Sequence, residues 1–418
     1  MRKTLTAGIA AVVLGCGTIT LAAPSNAETT SHAATQASPV TGQIIVKFRD
    51  NGSAAGVLRQ HGLAAGPGIG STGAQLVKVP AGSEAQVVEG LSRNPAVEYA
   101  EPDEPVTATT ADEYFPRQYA LQNNGQQFTN TAGTLAVAGG TADADVDAVE
   151  AWGVTRGNGI KVAVLDSGVA SDNVDITPKV VARANFTNGK TGEDTYGHGT
   201  HVAGIVAAAD NTVGVAGVCP GCTILDGKVL NDSGVGSSSS LANGINWAVN
   251  NGAKVINMSL GVRASRTLEA AVNNAWSKGV VLVAAAGNGS NQTKIYPGAY
   301  PNVIAVAATD NTDAKASFST YGASWVDVAA PGVNVYSTFP NHTFVLGTQN
   351  NRSFGYDVGN GTSMSSPIVA ATAALAWSSR ADATNTSVRA SIESTADKVS
   401  GTGTNWAHGR VNANNAVR

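Results

Sequence analysis

The sequence predicts an α/β protein: a doubly wound, mostly parallel sheet with helices on both faces, and a small α+β unit ahead of it. Three observations carry this. Residues 160–166, 255–260, 280–286 and 303–308 are near-continuous apolar runs of strand length, without the alternation of a half-wetted strand. Helix-like stretches at 201–209, 238–250 and 268–278 lie between them, as a parallel sheet covered on both faces requires. The 48 glycines suit tight turns and close helix–sheet packing.

The bulk properties narrow the function. A net charge of −4 with 13% charged residues offers no basic field for nucleic acid or anionic lipid. A length of 418 residues leaves room for one large domain and a smaller one.

Taken in order, the chain opens with Arg2-Lys3, an apolar run at 5–23 and a small-x-small site, Ser25-Asn26-Ala27. This reads as a signal peptide over 1–27 and a secreted, extracellular product. A membrane anchor is the weaker alternative, because threonines interrupt the run. Lipidation at Cys16, after Val13-Leu14-Gly15, is another. Residues 28–41, rich in Thr, Ser, Ala and Pro, read as a linker. Residues 42–106 contain strand patterns at 43–48, 74–79 and 96–99. Helix patterns stand at 54–61 and 83–93, the second opening on Ser83 as a cap. Residues 107–111 then continue a proline-punctuated, extended segment suited to cleavage. The large domain is 112–418.

In open parallel sheets, functional groups gather at the carboxyl ends of strands. Asp166 and the turns at Gly261 and Asn288 fall at such ends. Gly361-Thr362-Ser363-Met364-Ser365-Ser366-Pro367 then leads into a small apolar run ending at Trp377. That places Ser363 on a sharp turn at the mouth of a buried helix, whose first N–H groups are unpaired and whose end is positive. A serine hydroxyl is a poor nucleophile alone and needs a base, an orienter for the base and oxyanion donors. Asp166-Ser167-Gly168, Gly197-His198-Gly199-Thr200-His201-Val202-Ala203-Gly204 and Ala285-Ala286-Gly287-Asn288 are the candidates. Taken singly, each reads as an ordinary turn, cap or structural residue.

Together, and in the order Asp, His, Ser, these motifs resemble those of the subtilisin-like serine proteases, or subtilases. Asp112-Glu113-Tyr114-Phe115 and Arg117-Gln118-Tyr119 lean towards the thermitase-like branch. The resemblance implies Asp166 as orienter, His198 as general base and then acid, Ser363 as nucleophile and Asn288 as oxyanion donor. It implies that an extended peptide adds as a strand between the Ser259-Leu260-Gly261 and Gly234-Val235-Gly236 edges. Ala285, Ala286 and Gly287 would wall the first specificity pocket and Ile295 would floor it. A branched floor is expected to shorten the pocket and weaken acceptance of large aromatic residues. Ser238 suggests an open fourth pocket. A structural calcium ion is implied, held by Asp112, Asp175, the Asn211 side chain and the carbonyls of Ala209, Val213 and Val215. Residues 42–106 resemble an inhibitor-type propeptide.

The expected partners are polypeptide substrates and the chain's own propeptide as intramolecular inhibitor. No nucleic acid, no stable membrane insertion and a monomeric state complete the expectation. Cys219-Pro220-Gly221-Cys222 is not general to the family; export favours a disulfide, with two free thiols as the alternative. His201 lacks further ligands for a metal, and His342 and His408 read as surface residues. Ile368 and Ala371-Thr372 depart from the family pattern on the buried helix. Residues 341–359 are long for the family and read as a flexible loop beside the cleft. A catalytically silent binding module is the rival reading, and it would be favoured by loss of any one of the four catalytic candidates.

Overall fold

The computed structural model describes residues 42–103, 112–189 and 191–418. The signal segment and the linkers at 28–41 and 107–111 lie outside the described residues. Two compact units divide the chain, one within 42–103 and the other within 112–418.

In the small unit, Gln43–Phe48 is the central strand, flanked by Ala74–Lys78 and Val97–Pro102, both antiparallel to it. Its alternation sends Ile44, Val46 and Phe48 into a core with Leu58, Val77 and Leu91. Helices Asn51–Gln60 and Glu84–Ser92 supply the last two leucine-bearing faces. The first begins before its apolar pattern because the Asp50 carboxylate accepts from Gly52 N. Ser83 does not act as the expected side-chain cap. Its hydroxyl is turned back to donate to the Pro80 carbonyl.

The large unit is built on eight parallel strands. Their spatial order is Gly409–Arg410, Val328–Pro331, Ile304–Thr309, Val281–Ala285, Val255–Met258, Lys161–Asp166, Thr223–Lys228 and Val180–Asn185. Successive residues of the central strands serve opposite faces. Val162, Val164, Val281 and Val283 pack with helices His198–Ala207 and Thr362–Ser378. Ala163, Leu165, Leu282 and Ala284 pack with helices Ser238–Asn250 and Arg266–Ser277. Both faces are therefore dry, which is why these strands read as unbroken apolar runs. The order of strands reverses between Lys161–Asp166 and Val255–Met258, and the crevice at that switch point is where the site lies.

Four of the eight strands carry no such signal in the sequence, Gly409–Arg410 among them with only two residues. Val180–Asn185 is an edge strand with every second residue outward. Thr223–Lys228 includes Asp226 and Lys228, buried charges paired with Arg183 of the neighbouring strand and with Asp232 four residues on. Val328–Pro331 is only four residues long. The helix expected at 201–209 starts at His198 instead, since Gly197 turns there with φ of 97°. Cys219 and Cys222 are joined, with sulfurs 2.00 Å apart, and are buried against Gly157, where a side chain would collide with them.

Residues 341–359 are not the irregular loop that the sequence suggests. They contain helix Val345–Asn350, and strand Tyr356–Gly359 pairs antiparallel with Val335–Thr338. Among the described residues, no helix is long and apolar enough to cross a membrane.

Ile368 is fully buried in the core around the Thr362–Ser378 helix. Truncating it leaves a cavity that rigid neighbours cannot close. Ile368→Ala is expected to cost about 2–5 kcal/mol and Ile368→Val about 0.5–1.5 kcal/mol. Urea unfolding checks this, as a drop in midpoint at unchanged slope.

Candidate active site

Asp166 is the last residue of its strand and is 1% exposed. Its Oδ1 accepts from Ser167 N at 2.7 Å and meets His198 Nδ1 at 2.8 Å. A carboxylate only accepts, so the bond places the imidazole proton on Nδ1 and leaves Nε2 with a lone pair. Burial, the largest influence on the His198 imidazole, disfavours its charged form. The charge of Asp166 and its hydrogen bond, with Asp194 behind, outweigh that and leave the pKa raised.

The loop that carries His198 is pinned by a second carboxylate, which the sequence reading missed. Asp194 is fully buried and accepts from Ser167 Oγ, Tyr196 N and Gly197 N through Oδ1, and from Thr200 N and Oγ1 through Oδ2. Gly199 must be glycine for this approach, since a Cβ there would meet the Gly168 carbonyl and the Asp166 side chain. The sequence signal was present as the Asp-x-x-Gly-His spacing, but nothing in it distinguishes a pinning carboxylate from an exposed turn residue.

Ser363 is the second residue of the Thr362–Ser378 helix, and its own N–H has no acceptor within the helix. Its position is held from the neighbouring strand end. Ser259 Oγ donates to the Ser363 carbonyl at 2.7 Å, Asn257 Nδ2 donates to Ser259 Oγ, and Ser366 Oγ donates to Asn257 Oδ1. Ser363 Oγ itself donates to the Ser259 carbonyl at 3.2 Å. It makes no hydrogen bond to His198 among the described residues, although both line one cavity of about 270 Å³.

Asn288 lies just past the strand Val281–Ala285 and lines the same cavity. Its Oδ1 accepts from Thr362 N at 2.9 Å and from Thr362 Oγ1 at 3.1 Å, while Thr362 Oγ1 accepts from Gly287 N. With the carbonyl end of the amide so occupied, the end left to donate is Nδ2. The hydroxyl of Thr362 is thus a positioning group that the motif contained without announcing its role.

A second cavity, of about 340 Å³, shares Tyr196 and His198 with the first and runs between Gly234–Gly236 and Ser259–Gly261. Leu230, Leu241 and Val262 make its walls apolar. Ser237 and Leu241, not Ser238, border it from the helix side. Ala285 and Ala286 are buried and lie outside this cavity. Ile295 occupies the slot between Gly261 and Gly287: a Cβ on either glycine would meet its methyl-bearing carbons, at 2.6 and 3.2 Å.

The expected calcium residues converge as well. Asp112 Oδ1 accepts from Asn211 N and Thr212 N, and Asp175 accepts from Asn211 Nδ2 and Val215 N. Burial, with the charge of Asp112 adding to it, pushes the Asp175 carboxyl up to about 7. The carbonyls of Ala209, Val213 and Val215 accept no hydrogen bond from the described residues. Buried carboxylates beside these carbonyls form a hard oxygen set that fits a divalent cation of calcium's kind.

His201 is buried, with Nε2 donating to the Asp357 carbonyl at 3.3 Å. Burial, with help from His198, holds its pKa down to about 3, so it stays neutral and structural. His342 is not the free surface residue expected. It pairs with Asp172 at 2.7 Å and reaches the Asp194 carbonyl at 3.2 Å.

Comparison with known proteins agrees with this geometry. Residues 157–411 match the subtilase family, and residues 25–103 match the fervidolysin N-terminal prodomain. The chain is 49% identical to thermitase of Thermoactinomyces vulgaris over 276 residues, 65% of this chain and 94% of that protein. It is 40% identical to the thermophilic serine proteinase of Bacillus sp. (strain AK1) over 388 residues, 90% of this chain and 88% of the other. Among solved structures, one of the proteases from Pseudoalteromonas arctica PAMC 21717 superposes with a TM-score of 0.63 at 29% identity, covering 74% of this chain and 99% of that one. The chain belongs to the subtilase family, on its thermitase-like branch, and is a serine endopeptidase that carries a propeptide.

Proposed function

We propose that Asp166, His198 and Ser363 form the catalytic triad, with Asn288 in the oxyanion site, of a secreted, self-processing endopeptidase of broad specificity. The observation that carries the reading is the 2.8 Å bond from His198 to a buried Asp166, in a cavity that Ser363 and Asn288 also line. For attack, the Ser363 hydroxyl leaves the Ser259 carbonyl and turns to His198 Nε2. The imidazole takes its proton as Oγ bonds to the scissile carbonyl carbon, and Asp166 stabilises the imidazolium without being protonated itself. Charge then develops on the carbonyl oxygen, where Asn288 Nδ2 and the Ser363 N–H, at a positive helix end, donate to it. His198 returns the proton to the leaving amine, and water repeats the sequence to free the acyl group.

The prodomain match supports residues 42–106 as an intramolecular inhibitor that the enzyme cuts away after folding. The apolar cavity between the two glycine-rich edges suits the acyl half of an extended substrate, and Ile295 in the slot between Gly261 and Gly287 favours small or medium residues before the cut. Calcium at Asp112, Asp175, Ala209, Asn211, Val213 and Val215 would neutralise buried carboxylates and clamp the turn after the His198 helix. The rival reading, a silent binding module, has no observation in its favour.

Three outcomes are expected. The precursor with Ser363→Ala remains uncut on a gel and unlabelled by a fluorophosphonate probe, whereas wild type trims itself and reacts. Since the neutral imidazole is the base and its pKa is raised, kcat/KM falls as pH drops through a midpoint above the ordinary 6.5. Asp166→Asn moves that midpoint down and lowers kcat by about 10⁴, through loss of the stabilising charge and the correct tautomer. In the Ser363→Ala background, a chelator lowers the melting temperature by roughly 5 °C relative to calcium at a hundred times its dissociation constant. The Asp175→Asn variant shows no such response, and an equal response in both would remove the site.

A further inference from the structure

The segment 341–359 is held rigidly over one side of the nucleophile. Phe339 N donates to Gly355 O at 2.6 Å and Gly355 N to Pro340 O at 3.1 Å, closing the neck of the segment. Asn341 and His342 tie it to Asp172. Val345 N and Leu346 N donate to the carbonyls of Thr195 and Tyr196, at 3.0 and 3.1 Å, immediately before His198. Phe344, 2% exposed, stacks on Phe339 with ring centres 4.9 Å apart and packs against Gly197. Arg352 follows at the end of the short helix, its backbone N–H fixed to Gly347 O at 3.0 Å.

The Arg352 side chain lines the cavity that holds Ser363, His198 and Asn288, together with Leu346 and Asn350. It is partly buried and makes no hydrogen bond or ion pair with the described residues. Among the described residues, no carboxylate lines that cavity. The carboxylate closest in sequence, Asp357, is already occupied by Ser353 N, Val358 N and Asn130 Nδ2. A guanidinium in such a place is an unused, forked donor with five N–H groups.

On the reading above, the acyl half of the substrate lies over Gly234–Gly236 and Ser259–Gly261, so the cavity on the other side of Ser363 receives the leaving half. We propose that Arg352 makes this leaving-group side selective for an acidic side chain at the first or second residue after the scissile bond. The glutamate or aspartate carboxylate would pair with the guanidinium, and Leu346 would cover its aliphatic stem. This inference rests on the endopeptidase reading and adds a charge preference to it.

The test uses internally quenched peptides that differ only at the two positions after the cut, carrying Glu, Gln or Lys there, each made with a free and an amidated C-terminus. The mature wild-type enzyme is expected to give a Glu-to-Gln ratio in kcat/KM of about ten, from a partly screened charge-assisted pair. High salt should reduce the ratio. In Arg352→Gln the ratio falls to about one, and in Arg352→Glu the order inverts to favour Lys. A wild-type ratio of one, or a ratio untouched by Arg352→Gln, overturns the inference. So does a preference that follows the free C-terminus and ignores the side chain. Failure of the wild type to cut any of the peptides would instead strike the endopeptidase reading, and the inference with it.

Discussion

The helix Thr362–Ser378 has no face for water: Thr362 and every residue from Met364 to Ala376 are buried. An all-round apolar helix is stable only when enclosed, here between the parallel sheet and the helices on its outer side. That enclosure dictates where the helix can begin. Its first turn must emerge at the carboxyl ends of the strands, because the chain reaches it through Gly361, tied to Gly332 just past the end of Val328–Pro331. Ser363 is therefore set beside Ser259 and Asn288, which end neighbouring strands, by the packing of small residues deep in the core. The position of Ser363 is a consequence of burial more than of any interaction its hydroxyl makes itself.

Charge at the site is arranged by the same means. Asp166 and Asp194 are both buried; backbone N–H groups of Tyr196, Gly197 and Thr200 converge on Asp194, whereas Asp166 accepts only from Ser167 N beside its bond to His198. Asp194 uses its bonds to fix the loop, which leaves Asp166 to face the imidazole. An unpaired buried carboxylate would be costly, so the loop 194–200 cannot open without exposing or orphaning Asp194. Rigidity of His198 and satisfaction of Asp194 are one and the same constraint. The Asn288 amide is oriented similarly, by Thr362 on the opposite element.

Four of the central strands and the motifs around Asp166, His198 and Ser363 were legible because each depends on local sequence: an unbroken apolar run, a turn glycine, a residue at the end of a run. Family resemblance then supplied roles that spacing alone could not. What escaped was set by partners that composition and periodicity do not reveal, some of them far along the chain. Thr223–Lys228 looked too polar for a central strand until Arg183 and Asp232 were seen to satisfy its charges. His342 looked free because Asp172 lies 170 positions away. Ser83 had the composition of a cap, but the Pro80 carbonyl competes for its hydroxyl.

The segment 341–359 shows the same limit at the site itself. Its composition, with Asn, Thr, Gly and Ser among few apolar residues, reads as irregular surface chain. Two backbone bonds to Thr195 and Tyr196, and the burial of Phe344 against Phe339, convert it into a wall. Because those acceptors lie two and three residues before His198, the wall and the imidazole share one support. Any preference the wall imposes on substrate is thus registered against His198 through direct backbone bonds. A charged residue at the end of that wall has its backbone anchored beside the cleft, where a similar residue on a loose loop would be averaged into solvent.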